Sequence, residues 1–215
     1  MNGAGDCAMT LTQPTLAAVP AIFIKRGFLA PADHRDLLLG SLAAEGDYKP
    51  TLVSNYREGA SRMGRVDETI RRSTKRSLDP RYKKLFADGV LALKNEISAS
   101  IRVDFPDRSE FEIEAVNSGD GAFFSTHIDT AHGSSSCHRV ISSVYYYSRS
   151  PKRFSGGQLK IYSLDRTGFR LIEADDNSIV FFPSFFPHEV LPVAVPGRAF
   201  EDGRFSVNCW INRRN

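Results

Sequence analysis

Residues 122–147 read AFFSTHIDTAHGSSSCHRVISSVYYY. Two apolar, aromatic-rich segments flank a polar stretch holding Gly and three consecutive Ser, the pattern of two β-strands joined by a loop. Within the first segment His127 and Asp129 stand two residues apart. On a strand, residues i and i+2 point to the same side, so an imidazole and a carboxylate face one point while Ile128 faces away.

The same grammar extends outward. Strands are expected over 111–117, 122–128, 140–147, 158–162, 169–172, 178–182, 189–193 and 204–212. Turn signals separate them: Gly119-Asp120-Gly121, Gly156-Gly157 and Asp175-Asp176-Asn177. The intervals are too short for helical crossovers, so the sheets must be largely antiparallel, as in a jelly roll. Upstream, 21–24 reads as a short strand, and Pro31 followed by 33–44 as a first helix. Asp79-Pro80 opens a longer helix reaching about Val103, with Tyr82, Leu85, Phe86, Leu93, Ile97 and Ile101 at three- or four-residue steps. Residues 55–77 are rich in Arg, Gly, Ser and Thr without an apolar period and read as a loop that could serve as a lid. The fold class is mostly β with supporting helices. It comprises a flexible leader over 1–18 and one domain over 19–215, with helical support at 19–105 and the β core at 106–215.

Composition agrees with this division. The 215 residues are 41% hydrophobic and carry a net charge of +3, enough for one substantial core and too nearly neutral for a dedicated nucleic-acid surface. Cys7, Cys137 and Cys209 are odd in number and unpaired in spacing, which suits a reducing cytoplasm better than a disulfide framework. No apolar run approaches bilayer length, so membrane insertion is not expected.

The candidate chemistry lies downstream of Gly121. By itself His127-x-Asp129 equally suits a hydrogen-bonded pair at a strand end. His188 changes the balance: it follows the apolar run 178–182 at a Pro-bounded turn and can face back into the barrel. Two His and one carboxylate on one face of an ion leave positions open for a cosubstrate and oxygen, the arrangement of non-haem iron(II) oxygenases. Arg204 and Ser206 share a strand face and offer a guanidinium and a hydroxyl to a carboxylate. Arg198 competes with Arg204, although it precedes a surface-like loop. Tyr146 shares a face with Ser142 and Val144, and its phenol can donate to a carboxylate. His132 and His138 read as loop residues or substrate contacts, and His34 as a solvated helix residue without a role.

Taken in order, these pieces resemble the 2-oxoglutarate and iron(II) dependent dioxygenase superfamily, and in particular its prolyl-4-hydroxylase-like branch, over roughly residues 110–213. They are Gly119-Asp120-Gly121, His127 to Asp129, Tyr145 to Tyr147, Gly156-Gly157, Ile179 to Pro183, His188 with Val190, Pro192 and Val193, and Arg204-Phe205-Ser206-Val207. The resemblance implies a double-stranded β-helix with helices outside. It also implies iron(II) held by His127, Asp129 and His188, with 2-oxoglutarate and O2 as cosubstrates and ascorbate compatible as a further cofactor. Arg204, Ser206 and Tyr146 would take the distal carboxylate of 2-oxoglutarate. Asn117 falls where relatives often carry a Tyr touching the cosubstrate, and an amide can donate a similar hydrogen bond. Relatives often place the basic residue about ten positions after the distal His, which keeps Arg198 in play. Ile70-Arg71-Arg72-Ser73 resembles an element preceding the barrel on the substrate side.

The expected reaction is hydroxylation of an unactivated carbon of an amino-acid, peptidyl or related small-molecule substrate, with 2-oxoglutarate converted to succinate and CO2. Related halogenases lack the carboxylate that Asp129 supplies. Rival readings are a cupin-like zinc or manganese isomerase or hydrolase, a nucleic-acid demethylase of the same superfamily drawing on Arg57 to Arg76, and a non-catalytic jelly-roll binding module. Interleaved acids and few aromatics disfavour nucleic acid. Sequence sets neither the substrate nor the oligomeric state.

Overall fold

The computed structural model describes residues 19–53, 64–130 and 136–214. The leader 1–18, the 55–63 part of the expected lid, and His132 lie outside them.

The chain begins with β1 (Phe23–Arg26) and α1 (Pro31–Ala43), then β2 (Lys49–Pro50), β3 (Arg71–Arg72), β4 (Thr74–Ser77), α2 (Pro80–Ala92) and α3 (Lys94–Ile101). Pro31 opens α1, and the Asp79 side chain caps α2 by accepting from Arg81 N at 2.8 Å, with Pro80 in the first turn. The barrel follows: β5 (Ser109–Ser118), β6 (Phe123–His127), β7 (Arg139–Tyr147), β8 (Ser155–Gly156), β9 (Leu159–Tyr162), β10 (Phe169–Ile172), β11 (Ser178–Pro183), β12 (His188–Val190), β13 (Val193–Ala194) and β14 (Arg204–Arg213).

These strands form a seven-stranded sheet ordered β1-β11-β7-β14-β5-β4-β2 and a five-stranded sheet ordered β10-β9-β12-β6-β3, with β8 and β13 paired separately. All the pairings are antiparallel. From β5 onward the chain passes repeatedly between the sheets, which makes the double-stranded β-helix expected from the short connections.

The large sheet is buried on both faces, and the period of two assigns each residue its side. Ile113, Ala115, Tyr145, Tyr147, Phe181, Phe205, Val207, Cys209 and Ile211 pack against Leu37 of α1, Phe86 and Val90 of α2, and Ile97 and Ile101 of α3. The alternate residues Tyr146, Val180 and Phe182 turn inward and meet Leu159 and Ile161 of the small sheet. This is why β7 and β11 read as nearly unbroken apolar runs.

Three expectations change. The single helix from Asp79 to Val103 is two, broken at Leu93, whose ψ of 3° leaves the α region while its N–H still bonds back to Val90 and Leu91. The described part of the expected loop, 64–77, contains β3 and β4, each an antiparallel partner of a barrel strand. His34 is no solvated bystander: its Nδ1 lies 2.7 Å from the Tyr145 hydroxyl and its Nε2 2.9 Å from Asp176, tying α1 to the end of the large sheet. Among the described residues, no helix is long and apolar enough to cross a membrane.

Candidate metal centre

His127 ends β6 and His188 begins β12, and the two are cross-strand partners in the small sheet. Their rings therefore meet, with centroids 4.2 Å apart. Asp129 stands two residues beyond the end of β6, its amide donating to Ser184 O at 3.0 Å. This fixes the carboxylate in front of both rings, with His127 Nε2 3.7 Å and His188 Nε2 3.5 Å from its oxygens. One ligand atom from each of the three lies within 4.8 Å of the others.

The second nitrogen of each ring decides what the first can do. His127 Nδ1 lies 2.8 Å from Ser125 O, and His188 Nδ1 lies 2.9 Å from Phe186 O. A carbonyl can only accept, so each Nδ1 carries the hydrogen, and each Nε2 presents a lone pair or, when protonated, a charge toward Asp129. Burial first, and the neighbouring His188 second, push the His127 imidazole well below its ordinary value, which favours the neutral ligand form. Burial alone would raise the Asp129 carboxyl. The adjacent His188 and His127, with hydrogen bonds from Ser142 and Trp210, outweigh it and hold the group ionised. Ser142 Oγ donates to Asp129 Oδ2 at 2.6 Å. Two Nε2 atoms and one oriented carboxylate form a donor set suited to iron(II), each donor group held by a partner behind it.

A cavity of about 600 Å³, counting its open mouth, extends from these residues between the sheets. Its floor is the inward face of β14: Arg204, Ser206, Asn208 and Trp210 all line it. Arg204 is 3% exposed and lies over the Tyr146 ring, with 4.7 Å from guanidinium to centroid. Among the described residues its Nε and the Tyr146 hydroxyl have no hydrogen-bond partner, and no carboxylate pairs with Arg204. A buried, unpaired guanidinium is costly unless an anion arrives. The arrangement fits a dicarboxylate that reaches from the His and Asp groups to Arg204.

Gly157 makes room for this side chain. At its φ of +69° a Cβ would stand 2.7 Å from Arg204 Cδ and 2.8 Å from Val193 Cγ2. At Gly156, with φ +71°, a Cβ would stand 2.1 Å from Pro192 O. The Gly-Gly pair is thus both the turn and the wall against which the Arg204 stem lies.

Three expected contacts fall elsewhere. Asn117 sits on the opposite face of β5 from the cavity-lining Val116 and Ser118, and its Nδ2 donates to Phe200 O at 3.1 Å. Alternation along β5 turns it away from any cosubstrate. Arg198 lies in a surface turn with φ 53°, its side chain 81% exposed and its Nε 3.1 Å from Asp120. The hydroxyl of Tyr146 lies buried beneath Arg204 and is not part of the cavity lining.

The sequence reading passed over several lining residues. Asn208 and Trp210 follow from Arg204 and Ser206 by the period of two. Phe124 stacks on His127 at 3.5 Å between centroids, and Arg71, which the resemblance set on the substrate side, lies over Phe124 at 4.6 Å; no periodic signal marks either. Arg139 grips Glu112 through Nε and Nη2 at 3.1 and 2.6 Å and covers Trp210 at 4.0 Å.

A double-stranded β-helix with two His and one Asp at one end of its cavity and a buried guanidinium at the other defines a non-haem metal oxygenase. The family model of the 2OG-Fe(II) oxygenase superfamily matches residues 113–212, and this stretch is the oxygenase domain of a 2-oxoglutarate-dependent dioxygenase that uses iron(II) and O2. It is 26% identical to an uncharacterised PKHD-type hydroxylase of Synechocystis over 96% of this chain and 70% of that protein. The fold is shared with a prolyl-4-hydroxylase of Pseudomonas putida, with TM-score 0.62, 22% identity, and 91% and 94% of the two chains covered. A prolyl hydroxylase of Trichoplax adhaerens, solved with a hypoxia inducible factor peptide, gives TM-score 0.62, 18% identity, and 90% and 84% coverage.

Proposed function

We propose that the protein hydroxylates an unactivated carbon of an amino-acid, peptidyl or related small-molecule substrate, with His127, Asp129 and His188 as the iron ligands and Arg204 with Ser206 as the anchor for the distal carboxylate of 2-oxoglutarate. The observation that carries this reading is the unpaired Arg204 guanidinium, buried in the same cavity that has the three ligand atoms at its other end. Support for a peptidyl substrate comes from fold relatives, one of which was solved with a peptide.

Bound iron(II) and 2-oxoglutarate together supply activation of O2 and the oxidising equivalents for C–H hydroxylation. The chain's own residues do the rest. Ser125 O and Phe186 O hold the two ring hydrogens, so both Nε2 atoms stay available. Ser142 and Trp210 orient Asp129 and keep its charge. Tyr146 and Gly157 shape the slot in which Arg204 and Ser206 receive a carboxylate, and the apolar walls Phe182 and Leu159 exclude water from it.

The test is anaerobic addition of iron(II) and 2-oxoglutarate to the full chain. A visible charge-transfer absorption that needs both additions, with conversion of 2-oxoglutarate to succinate on admitting oxygen, is the expected result. Tight zinc binding without that absorption would favour the zinc isomerase or hydrolase reading instead.

A further inference from the structure

Among the described residues, charge around the cavity leaves one cation without a full counter-charge. Within the proposed site, the charges of iron(II), Asp129, the two carboxylates of 2-oxoglutarate and Arg204 cancel. Arg139 is neutralised by its two-pronged contact with Glu112. Arg71 remains. It lines the cavity from β3, with its side chain only 11% exposed. The carboxylate paired with it is Glu114, whose Oε1 lies 4.0 Å from Nη2, and Glu114 is already committed to Lys75 Nζ at 2.6 Å. Two cations thus share one anion, and the buried member of the pair is the one facing the cavity.

Arg71 is nevertheless held in place. Its Nε donates to Ser73 Oγ at 3.1 Å, its plane lies over Phe124, and its backbone is registered against Phe124 by the β3–β6 pairing. Phe124 in turn stacks on His127. Such a guanidinium pays its ordering entropy before any ligand arrives and keeps most of its charge for that ligand, the condition for strong bidentate recognition of an anion. Burial works against its charge, with Glu114 and Asp129 only partly offsetting it.

Resting on the oxygenase reading of the site, we propose that Arg71 is the substrate-binding residue of this cavity and that the substrate presents a free carboxylate to it. A carboxylate matches the fork of the guanidinium and supplies the missing negative charge. A peptide carbonyl would satisfy one donor and leave the charge uncompensated.

The experiment measures binding to the full chain loaded with manganese(II) and saturating 2-oxoglutarate without oxygen. The probes are N-acetyl L-amino acids and the matching N-acetyl amino-acid amides, which differ only in the carboxylate. At least one acid is expected to bind at least tenfold more tightly than its amide. The ratio should fall toward one in Arg71→Gln and take an intermediate value in Arg71→Lys, which keeps charge but not the fork. If Arg71→Gln does not fold, the intermediate ratio in Arg71→Lys carries the test. No binding by any acid, equal binding of acid and amide, or a ratio unchanged in the variants would overturn the proposal. The iron(II) and 2-oxoglutarate absorption of the unaltered protein reports separately on the oxygenase site, so the two readings fail by different signals.

Discussion

The two ends of the cavity differ in how their polar atoms are satisfied. At the His127 end each heteroatom has a fixed partner behind it: Ser125 O, Phe186 O, Ser142 Oγ and the Ser184 carbonyl that receives the Asp129 amide. At the Arg204 end the guanidinium Nε has none among the described residues. One end is built in advance to hold an ion in one geometry. The other keeps its hydrogen-bonding capacity for a ligand. The comparison teaches that satisfaction marks an orienting scaffold, whereas a buried deficit marks a place where something binds.

Breaking the satisfied end should have the largest effect. Asp129→Ala and His188→Ala each remove a donor, and iron(II) retention and succinate formation are expected to fall by more than the roughly ten- to hundredfold typical for outer partners; metal titration with a chelating indicator checks this. At the unsatisfied end, Arg204→Ala loses a charge-assisted pair of about 1.5–3 kcal/mol, so the KM for 2-oxoglutarate should rise roughly ten- to hundredfold. An equal rise in Arg198→Ala would remove Arg204 as the anchor. Ser142→Ala should weaken iron(II) affinity by about tenfold while the KM for 2-oxoglutarate changes less, because it frees Asp129 without touching Arg204. Gly157→Ala is the smallest. Its strained φ and the clash with Arg204 Cδ should cost about 1–2 kcal/mol in thermal unfolding and raise that KM a few-fold. A normal KM would show that the Arg204 stem can shift without consequence.

How far these features could be read in the sequence follows from where the signal comes from. Strands β5 to β7, β9 to β12 and β14 were legible within three residues because burial enforces apolar runs or alternation bounded by Gly and Asp turns. The grouping of His127, Asp129 and His188 was legible because His and Asp spacing reflects strand geometry directly. The break at Leu93 was not legible: α2 and α3 pack on the same sheet, so the apolar spacing runs through it, and neither Pro nor Gly marks it. β3 and β4 were illegible for a different reason. They are short, and Arg71 and Lys75 are cations that share Glu114, so no apolar alternation betrays them. Asn117 shows the limit of matching positions to relatives, since one step of alternation turned its amide to the far face of the sheet. His34 was misread because its partners, Tyr145 and Asp176, lie more than a hundred residues away.

Strand β14 runs the length of the large sheet with Phe205, Val207, Cys209 and Ile211 on its helix side and Arg204, Ser206, Asn208 and Trp210 on its cavity side. That single strand separates two selective pressures. Changes on one side alter how tightly the helices are packed, and changes on the other alter what the cavity accepts, with the backbone between them hydrogen-bonded to β5 and β7 throughout. New specificities can therefore be tried at alternate positions while the residues that keep the barrel folded remain untouched.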